Sequence, residues 1–425
     1  MVQMGFFKLF SFSIIAFIAA TRVLLGAESK TYGGDIEALK DLKNALEPGS
    51  VNPGSCLNSW DFTFDPCDNL FSDKFTCGFR CDIVVSGFSR VTELSLDSAG
   101  YTGSLSSDLN NLSYLQTLDV SNNYFYGIIP QSLSKLTRLS RLGLSMNYFS
   151  GEIPSSIGTL SNLEELYLDN NNLEGTMPTS FNGLVSLKRL ELQHNKLNGY
   201  IPDLSSLTNL LYLDLSDNAL VGALPATLPV SLVQISMRNN NLTRILTSES
   251  FKNLMYLQVV DLSSNQISGS VPSVFFELPS LQQLTLSVNQ FSSIEAPSYS
   301  YHSGLIAVDL SNNQLKGVLP SFMAFMPKLS SLSLENNEFS GLIPTQFATK
   351  TVFPEIGVSP FARLLLRGNY LIGGVPKPLL RLKPESANVS LGDNCLYRCP
   401  LRFFFCQGGE QKSWEQCKRF NPVIH

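Results

Sequence analysis

Histidines and closely spaced acidic residues are the side chains of this sequence that could carry out acid–base chemistry. The sequence has three histidines: His194, His302 and His425. No nucleophile motif lies near His194, and paired acids such as Asp214 and Asp217, which could indicate glycoside hydrolysis, belong to a repeated motif without a deep cleft. The kinase motifs G-x-G-x-x-G, H-R-D and D-F-G do not occur. We therefore predict that the chain is not an enzyme and uses no cofactor or metal.

Eight cysteines form two clusters of four at opposite ends of the sequence. The clusters are Cys56, Cys67, Cys77 and Cys81, and then Cys395, Cys399, Cys406 and Cys417. An even number of cysteines in an exported protein indicates disulfide bonds. For an exported protein, zinc binding would fit neither the compartment nor the spacing of these residues. Three pairings are compatible with each cluster, and the sequence does not choose among them.

The first residues have the features of a secretory signal peptide. Lys8 precedes an apolar run over residues 9–20, and small residues at 25–27 offer a cleavage site. An uncleaved anchor is the alternative, but the run is short for a membrane span. No second stretch of spanning length follows, and a formal net charge of −5 offers no basic surface for nucleic acid. We expect a secreted, soluble protein of the extracellular space, cell wall or cell surface, without a nucleic-acid partner.

A column of asparagines recurs along the chain, mostly at steps of 24 residues. Its members are Asn123, Asn147, Asn171, Asn195, Asn218, Asn240, Asn265, Asn289, Asn313, Asn337, Asn369 and Asn394. Each lies in the pattern L-x-x-L-x-L-x-x-N-x-L, whose L-x-L segment predicts a short strand with one buried face. An amide both donates and accepts hydrogen bonds, so stacked asparagines should tie neighbouring copies together. No copy buries its own apolar face, and therefore only the stack is stable.

This repeat predicts the fold and the organisation of the chain. We expect an α/β repeat solenoid, a curved right-handed leucine-rich-repeat superhelix with a parallel concave sheet, capped by disulfides at both ends. The predicted segments are a signal peptide at 1–27, an N-terminal cap at 28–90, about 12–13 repeats at 91–394 and a C-terminal cap at 395–425. In the first cap, Asp35 is predicted to cap a helix that carries Ile36, Leu39, Leu42 and Leu46.

Most copies continue with Gly-x-Ile/Leu/Val-Pro after the asparagine, which should carry the chain to the outer face. Two copies, at 243–247 and 292–296, lack this signature. Local drift on the convex side is one explanation, and a partner surface at Tyr299, Tyr301 and His302 is the other. A single step of 32 residues inserts about eight residues near 349–359, which should form a loop.

The N-x-L-x-G-x-I-P signature and residues 35–81 resemble plant extracellular leucine-rich-repeat proteins. The sequence is similar to the receptor-like protein group of that class, which has the repeat ectodomain without a kinase and typically has a membrane span. The resemblance implies a module that binds a secreted peptide or protein, or a receptor-kinase ectodomain, in signalling or defence. Polygalacturonase-inhibiting proteins share the repeat, so a soluble inhibitor of a foreign cell-wall hydrolase is the alternative. A structural cell-wall protein is a third hypothesis.

The predicted binding surface is the concave face of the middle repeats, where tyrosine and arginine are typical binding anchors. Its residues are Arg141, Glu165, Tyr167, Asp169, Arg189, Glu191, Gln193, Tyr212, Asp214 and Arg238. The alternative is that any solenoid exposes mixed polar residues. Elsewhere a D-x-S motif, as at Asp119 and Ser121, is typical of solvated repeat filler. Glycosylation is predicted at the sequons of Asn111, Asn241 and Asn388.

Overall fold

The computed structural model describes residues 30–298, 302–407 and 409–420. The predicted signal peptide, Tyr299, Tyr301 and His425 lie outside these ranges. The L-x-L segments build one sheet of fourteen strands along the solenoid. Its strands are Phe79–Arg80, Glu93–Ser95, Thr117–Asp119, Arg141–Gly143, Glu165–Tyr167, Arg189–Glu191, Tyr212–Asp214, Gln234–Ser236, Val259–Asp261, Gln283–Thr285, Ala307–Asp309, Ser331–Ser333, Arg363–Leu365 and Asn388–Ser390.

This sheet, which we call the concave sheet, is parallel except at its first strand. Phe79–Arg80 pairs antiparallel with Glu93–Ser95, and each later pair is parallel and in register, as where Leu166 lies opposite Leu190. The central residue of each three-residue strand faces the core, and the two residues beside it face outward. The predicted parallel sheet is therefore confirmed. On its solvent face, equivalent residues of successive repeats lie next to one another in rows.

A second set of strands, which the sequence pattern did not predict, follows the asparagine column. It comprises Thr102–Ser104, Tyr124–Gly127, Tyr148–Glu152, Asn172–Thr176, Lys196–Tyr200, Ala219–Gly222 and Asn241–Leu242, then Ser268–Val271 and Gln290–Ile294, then Lys316–Val318, Glu338–Leu342, Tyr370–Gly374 and Cys395–Arg398. Each interruption follows a copy that lacks Gly-x-x-Pro. In intact copies the glycine has a positive φ, as in Gly175 at 76°, which other residues rarely adopt. The two interruptions thus coincide with the two copies that lack the signature, and an isolated parallel bridge between Ile245 and Ser268 spans the first of them.

Helices and 3-10 turns lie between the strands of successive copies and in the two caps. The α-helices are Gly33–Asn44, Cys56–Ser59, Ser248–Phe251, Val274–Glu277, Thr345–Val352 and Trp414–Phe420. The 3-10 turns are Cys67–Asn69, Ser107–Asn111, Gln131–Lys135, Ser155–Thr159, Thr179–Gly183, Ser321–Phe325, Lys377–Arg381 and Phe404–Cys406. A hairpin, Ile83–Val85 with Phe88–Arg90, completes the first cap. The inserted segment near 349–359 is only partly the loop that was predicted, because its first residues extend helix Thr345–Val352.

The asparagine column forms the predicted ladder. Asn147 is buried, and its Nδ2 donates to the carbonyl oxygens of Val120, Leu144 and Ser145 at 3.1, 3.2 and 3.1 Å. Its Oδ1 accepts the Phe125 N–H at 2.9 Å. The other members repeat these contacts, down to Asn394 at the last repeat. Each amide therefore joins two repeats and satisfies backbone groups that would otherwise be buried without partners.

The residue before each ladder asparagine adopts a left-handed backbone conformation. Most of these residues are Asn, Asp, Ser or Gly, and His194, at φ 55°, belongs to the same column. Asparagine, aspartate and histidine tolerate this region better than other side chains. The column thus supplies a structural reason for a histidine at position 194. Val288, at φ 56°, is a β-branched exception.

Replacement of Val288 by asparagine is expected to raise the free energy of unfolding by about 1 kcal/mol, because it relieves this strain. Val288 is half-exposed, so the substitution removes little buried apolar surface. The reverse change, Asn122→Val at φ 58°, should destabilise by a similar amount. Urea denaturation of both variants measures the effect. If both changes left the midpoint unaltered, strain in this column would not matter.

Asp35 does not cap the first helix, contrary to the sequence prediction. The N-cap residue of Gly33–Asn44 is Tyr32, and no side chain caps that end. Asp35 lies inside the first turn, wholly buried, and forms a two-point salt bridge with Arg90. The Arg90 Nε and Nη2 atoms lie 3.0 and 2.8 Å from its two carboxylate oxygens, and the Val91 N–H donates to it at 2.9 Å. Asp35 therefore pairs with Arg90, 55 residues away in the sequence, instead of capping its own helix.

All eight cysteines form disulfides, two in each cap. The pairs are Cys56–Cys77, Cys67–Cys81, Cys395–Cys417 and Cys399–Cys406. The bonds lie where the repeat core has no neighbouring copy to cover it. The predicted disulfide capping of both ends is confirmed, and the structure selects one pairing in each cluster.

Candidate ligand-binding face

Most of the predicted binding residues lie on the outward face of four adjacent strands of the concave sheet. Arg141, Glu165, Arg189 and Tyr212 are the first residues of their strands and lie side by side. Tyr167, Glu191 and Asp214 are the third residues and form a second row. Gln193 and Arg238 lie in the turns beyond their strands. The in-register pairing thus gathers side chains that are 20 or more residues apart in sequence.

Arg141 is the centre of one cluster on this face. Its guanidinium pairs with Glu165 and with Asp119, the latter at 3.1 Å, and lies 4.5 Å from the centroid of the Tyr167 ring. Gly143 leaves room for Asp119, because a Cβ there would lie 2.6 Å from the Asp119 Cγ. The D-x-S pattern alone indicates that Asp119 is repeat filler. The sequence signal that could have placed Asp119 in the candidate face is the glycine at position 143 of the neighbouring strand.

Arg189 is the centre of a second cluster, one strand farther along. It lies 3.9 Å from the centroid of the Tyr212 ring, and its Nη1 pairs with Glu191 Oε1 at 2.8 Å. Gln193 donates to Glu191 Oε2 at 3.4 Å. Among the described residues, the buried Gln193 Oε1 has no hydrogen-bond partner.

Carboxylates border the second cluster. Burial raises the pKa of Asp214, and nearby Glu191 raises it further, although Ser216 donates hydrogen bonds to its carboxylate. Asp217 is different: burial raises its pKa, but hydrogen bonds from Asn239 and Arg238 outweigh that effect and lower the pKa. The Arg238 Nη2 lies 3.0 Å from Asp217 Oδ2. The pKa values of these two neighbouring acids are therefore shifted in opposite directions.

Asp169 is not exposed on this face, contrary to the sequence prediction. It is only 5% exposed. Ser145 and Asn170 both donate hydrogen bonds to its carboxylate, Asn170 at 2.7 Å. Periodicity in the sequence does not reveal these hydrogen bonds. Asp169 is therefore a buried, hydrogen-bonded residue beneath the candidate face.

The three sequon asparagines are exposed. Asn111 ends a 3-10 turn, Asn241 begins a strand of the second sheet, and Asn388 begins the last strand of the concave sheet. Only Asn388 shares a sheet with the predicted binding residues, and it lies several repeats away from them. Glycosylation at these positions remains a prediction. His302 is also exposed.

Comparison with known protein families identifies the repeat. Models of the leucine-rich repeat match residues 161–221 and 230–291, and single-repeat models match 114–136, 138–160 and 328–349. The fold is a leucine-rich-repeat solenoid. In the described part of this solenoid, no helix has the length and hydrophobicity needed to cross a membrane.

Curated relatives match only a segment of the solenoid. Lumican from Bos taurus is 42% identical over 92 residues, which is 21% of this chain and 26% of lumican. Receptor-like protein 49 from Arabidopsis thaliana is 33% identical over 101 residues, which is 23% of this chain and 12% of that protein. The chain thus spans about a quarter or less of these two relatives.

Solved structures align with most of the solenoid. The plant peptide hormone receptor RGFR1, solved with RGF2, is 28% identical with a TM-score of 0.66, covering 75% of this chain and 50% of that one. The ectodomain of GASSHO1/SCHENGEN3 from Arabidopsis thaliana, solved with CASPARIAN STRIP INTEGRITY FACTOR 2, is 27% identical with a TM-score of 0.52, covering 85% and 50%. A plant ice-binding protein, 23% identical with a TM-score of 0.54, shares the fold alone.

Proposed function

We propose that this solenoid is an extracellular, secreted binding protein of the receptor-like or co-receptor type, without enzymatic activity. Its ligand is a secreted peptide or protein, and a leucine-rich-repeat receptor kinase is its partner in signalling or defence. The observation that carries the proposal is the pair of arginine–tyrosine stacks on adjacent strands, Arg141 with Tyr167 and Arg189 with Tyr212. The similarity of the solenoid to two plant receptors solved with their ligands supports the proposal.

The two stacks have the character of binding anchors. Arginine and tyrosine contribute disproportionately to interfaces because each combines a large apolar area with directional hydrogen bonding. Here each guanidinium is already oriented by a carboxylate, Glu165 for one and Glu191 for the other. Such side chains lose little conformational entropy when a ligand binds. We propose that the remaining predicted residues, Gln193, Asp214 and Arg238, contribute polar contacts around these anchors.

The charge of the face indicates the kind of ligand. Three guanidinium groups face five carboxylates, which belong to Asp119, Glu165, Glu191, Asp214 and Asp217. The excess of negative charge favours a ligand that carries basic side chains. Parallel strands stack at about 4.8 Å, so the whole concave sheet would accommodate an extended peptide of roughly 15 residues.

We propose that the chain is divided into a first cap at 28–90, the repeats at 91–394 and a second cap at 395–425.

The C-terminal arrangement supports a finer proposal. A lengthened repeat, a short last repeat, Asn394-Cys395 and a spaced cysteine tail are similar to those of the stomatal-patterning receptor-like protein Too Many Mouths. We propose that this similarity indicates the class of partner that the protein binds. Receptor-like proteins of this kind would act beside a kinase, because their own chain supplies none.

Affinity capture from extracellular fluid, read by mass spectrometry, tests the proposed class. The mature protein is immobilised, and a boiled sample of the same protein serves as control. Recovery of receptor-kinase ectodomains or secreted peptides on the folded protein alone is expected. Loss of cell-wall hydrolase activity when the protein is added would instead support an inhibitor. Absence of any saturable protein ligand would favour a structural wall protein.

A further inference from the structure

A cavity of about 340 Å³ lies on the convex side, at the inserted segment. Turn Ser321–Phe325, helix Thr345–Val352 and the loop that follows the helix line it. Its apolar lining is Ala324, Phe325, Pro327, Phe353, Pro354 and Val358. Cavities of roughly 300–1,000 Å³ with mostly apolar walls and a few polar groups are typical small-molecule sites. This cavity is several repeats away from the concave binding face.

Lys350, which also lines the cavity, is a buried cation without an acidic partner. The residue is 4% exposed, and its Nζ donates to the Met326 carbonyl oxygen at 2.7 Å. The same nitrogen lies 5.2 Å from the centroid of the Phe361 ring. An ammonium group has three N–H donors. Within the described ranges, the structure supplies one acceptor and no carboxylate pairs with Lys350, so donors remain for a ligand.

The electrostatics of this lysine favour an anionic ligand. Burial lowers the pKa of Lys350 to about 8, so the amine is mostly protonated at neutral and acidic pH. A buried charge without a counter-ion is costly, and an anion that enters the cavity would offset that cost. Glu355 lines the same cavity but, in the part of the chain described, forms no ion pair with Lys350.

We propose that this cavity binds a small organic acid with an apolar body, and that the Lys350 ammonium pairs with its carboxylate. One cation balances one carboxylate. A phosphate group would need more, since such groups are typically bound by arginine forks or several backbone N–H donors. The apolar walls match an aromatic or branched aliphatic body. The site is independent of the concave face and goes beyond the proposed function.

Calorimetric titration with 3-phenylpropionate tests this site, and the uncharged 3-phenylpropionamide is the matched probe. The acid should bind wild-type protein at least tenfold more tightly than the amide. Lys350→Met should remove that preference, whereas Lys350→Arg should keep part of it. Lys328→Met, which removes an exposed cation nearby, should bind like wild type. Circular dichroism of each variant establishes that it is folded.

Three results would overturn the proposal. The acid and the amide could bind equally well, which would leave no role for the cation. Lys350→Met could keep the full preference for the acid while folded. Alternatively, neither compound could bind wild-type protein at about 10 mM, tenfold weaker than a millimolar complex. The Tyr167→Ala variant should bind the acid unchanged, so failure here is distinguishable from failure of the concave face.

Discussion

Replacement of Arg90 by methionine is expected to lower the free energy of unfolding by about 3–5 kcal/mol, because it leaves the Asp35 carboxylate buried without its partner. The Asp35 side chain is 0% exposed and that of Arg90 only 7% exposed. The guanidinium also lies between the rings of Tyr32 and Tyr114, at 4.2 and 4.3 Å from their centroids. Loss of Arg90 therefore removes both the ion pair with Asp35 and the guanidinium that packs against the Tyr32 and Tyr114 rings.

Tryptophan fluorescence during urea denaturation measures this loss in the first cap. Trp60 is buried there, and Trp414 is half-exposed in the second cap, so a Trp414→Phe background isolates the signal of Trp60. The matched control is Arg90→Met combined with Asp35→Asn, whose amide oxygen still accepts the Val91 N–H. This double variant should recover more than half of the loss. A single variant within 1 kcal/mol of wild type, roughly the value of an exposed pair, would contradict a structural role for the salt bridge.

Replacement of the ladder residue Asn147 by alanine is expected to cost about 3 kcal/mol, because buried polar groups lose their partners. The Phe125 N–H donates to Asn147 Oδ1, and Val120 in the preceding repeat loses a donor as well. The effect should spread along the solenoid, since stability in such proteins depends on the interface between neighbouring repeats.

Hydrogen exchange measured by mass spectrometry follows the consequence of this change repeat by repeat. Protection should fall most in the two repeats that Asn147 joins and less farther away. Asn172→Ala is the matched control, because Asn172 is exposed on the second sheet and its loss should shift stability by less than about 0.5 kcal/mol. Equal exchange in Asn147→Ala and wild type would show that the ladder contributes little.

The part of the fold that the sequence could predict depends on contacts repeated at a fixed spacing. Leu166 and Leu190 occupy the same position in successive copies, so both the strand and its parallel neighbour follow from one pattern. The asparagine ladder follows for the same reason. The second sheet does not, because a strand such as Tyr148–Glu152 shows no alternation and is stabilised by its neighbours. The glycines of the Gly-x-x-Pro signature, which have positive φ angles, were the sequence signal from which the second sheet could have been predicted.

Features that depend on one distant partner could not be predicted. Asp35 has the sequence context of a helix cap, but a buried arginine 55 residues away determines its role. On the candidate face, alternation along each strand predicts that Arg141, Tyr167 and Arg189 face outward, as they do in the structure. Alternation could not show that Asp169 is buried and accepts a hydrogen bond from Asn170, or that Asp119 joins the Arg141 cluster. Such contacts depend on side-chain conformations across strands.

The concave face is tested most directly by comparing what two folded variants capture from extracellular fluid. One variant combines Tyr167→Ala, Arg189→Ala and Tyr212→Ala. The matched control changes three residues of the same sheet outside the candidate face: Gln283→Ala, Thr285→Ala and Ser331→Ala. Quantitative mass spectrometry compares both with wild type. We predict that ligands captured by wild type fall at least about tenfold on the first variant, since anchors of this kind typically contribute more than 1 kcal/mol each, and are unchanged on the control. Equal recovery on all three proteins would contradict the assignment of binding to this face.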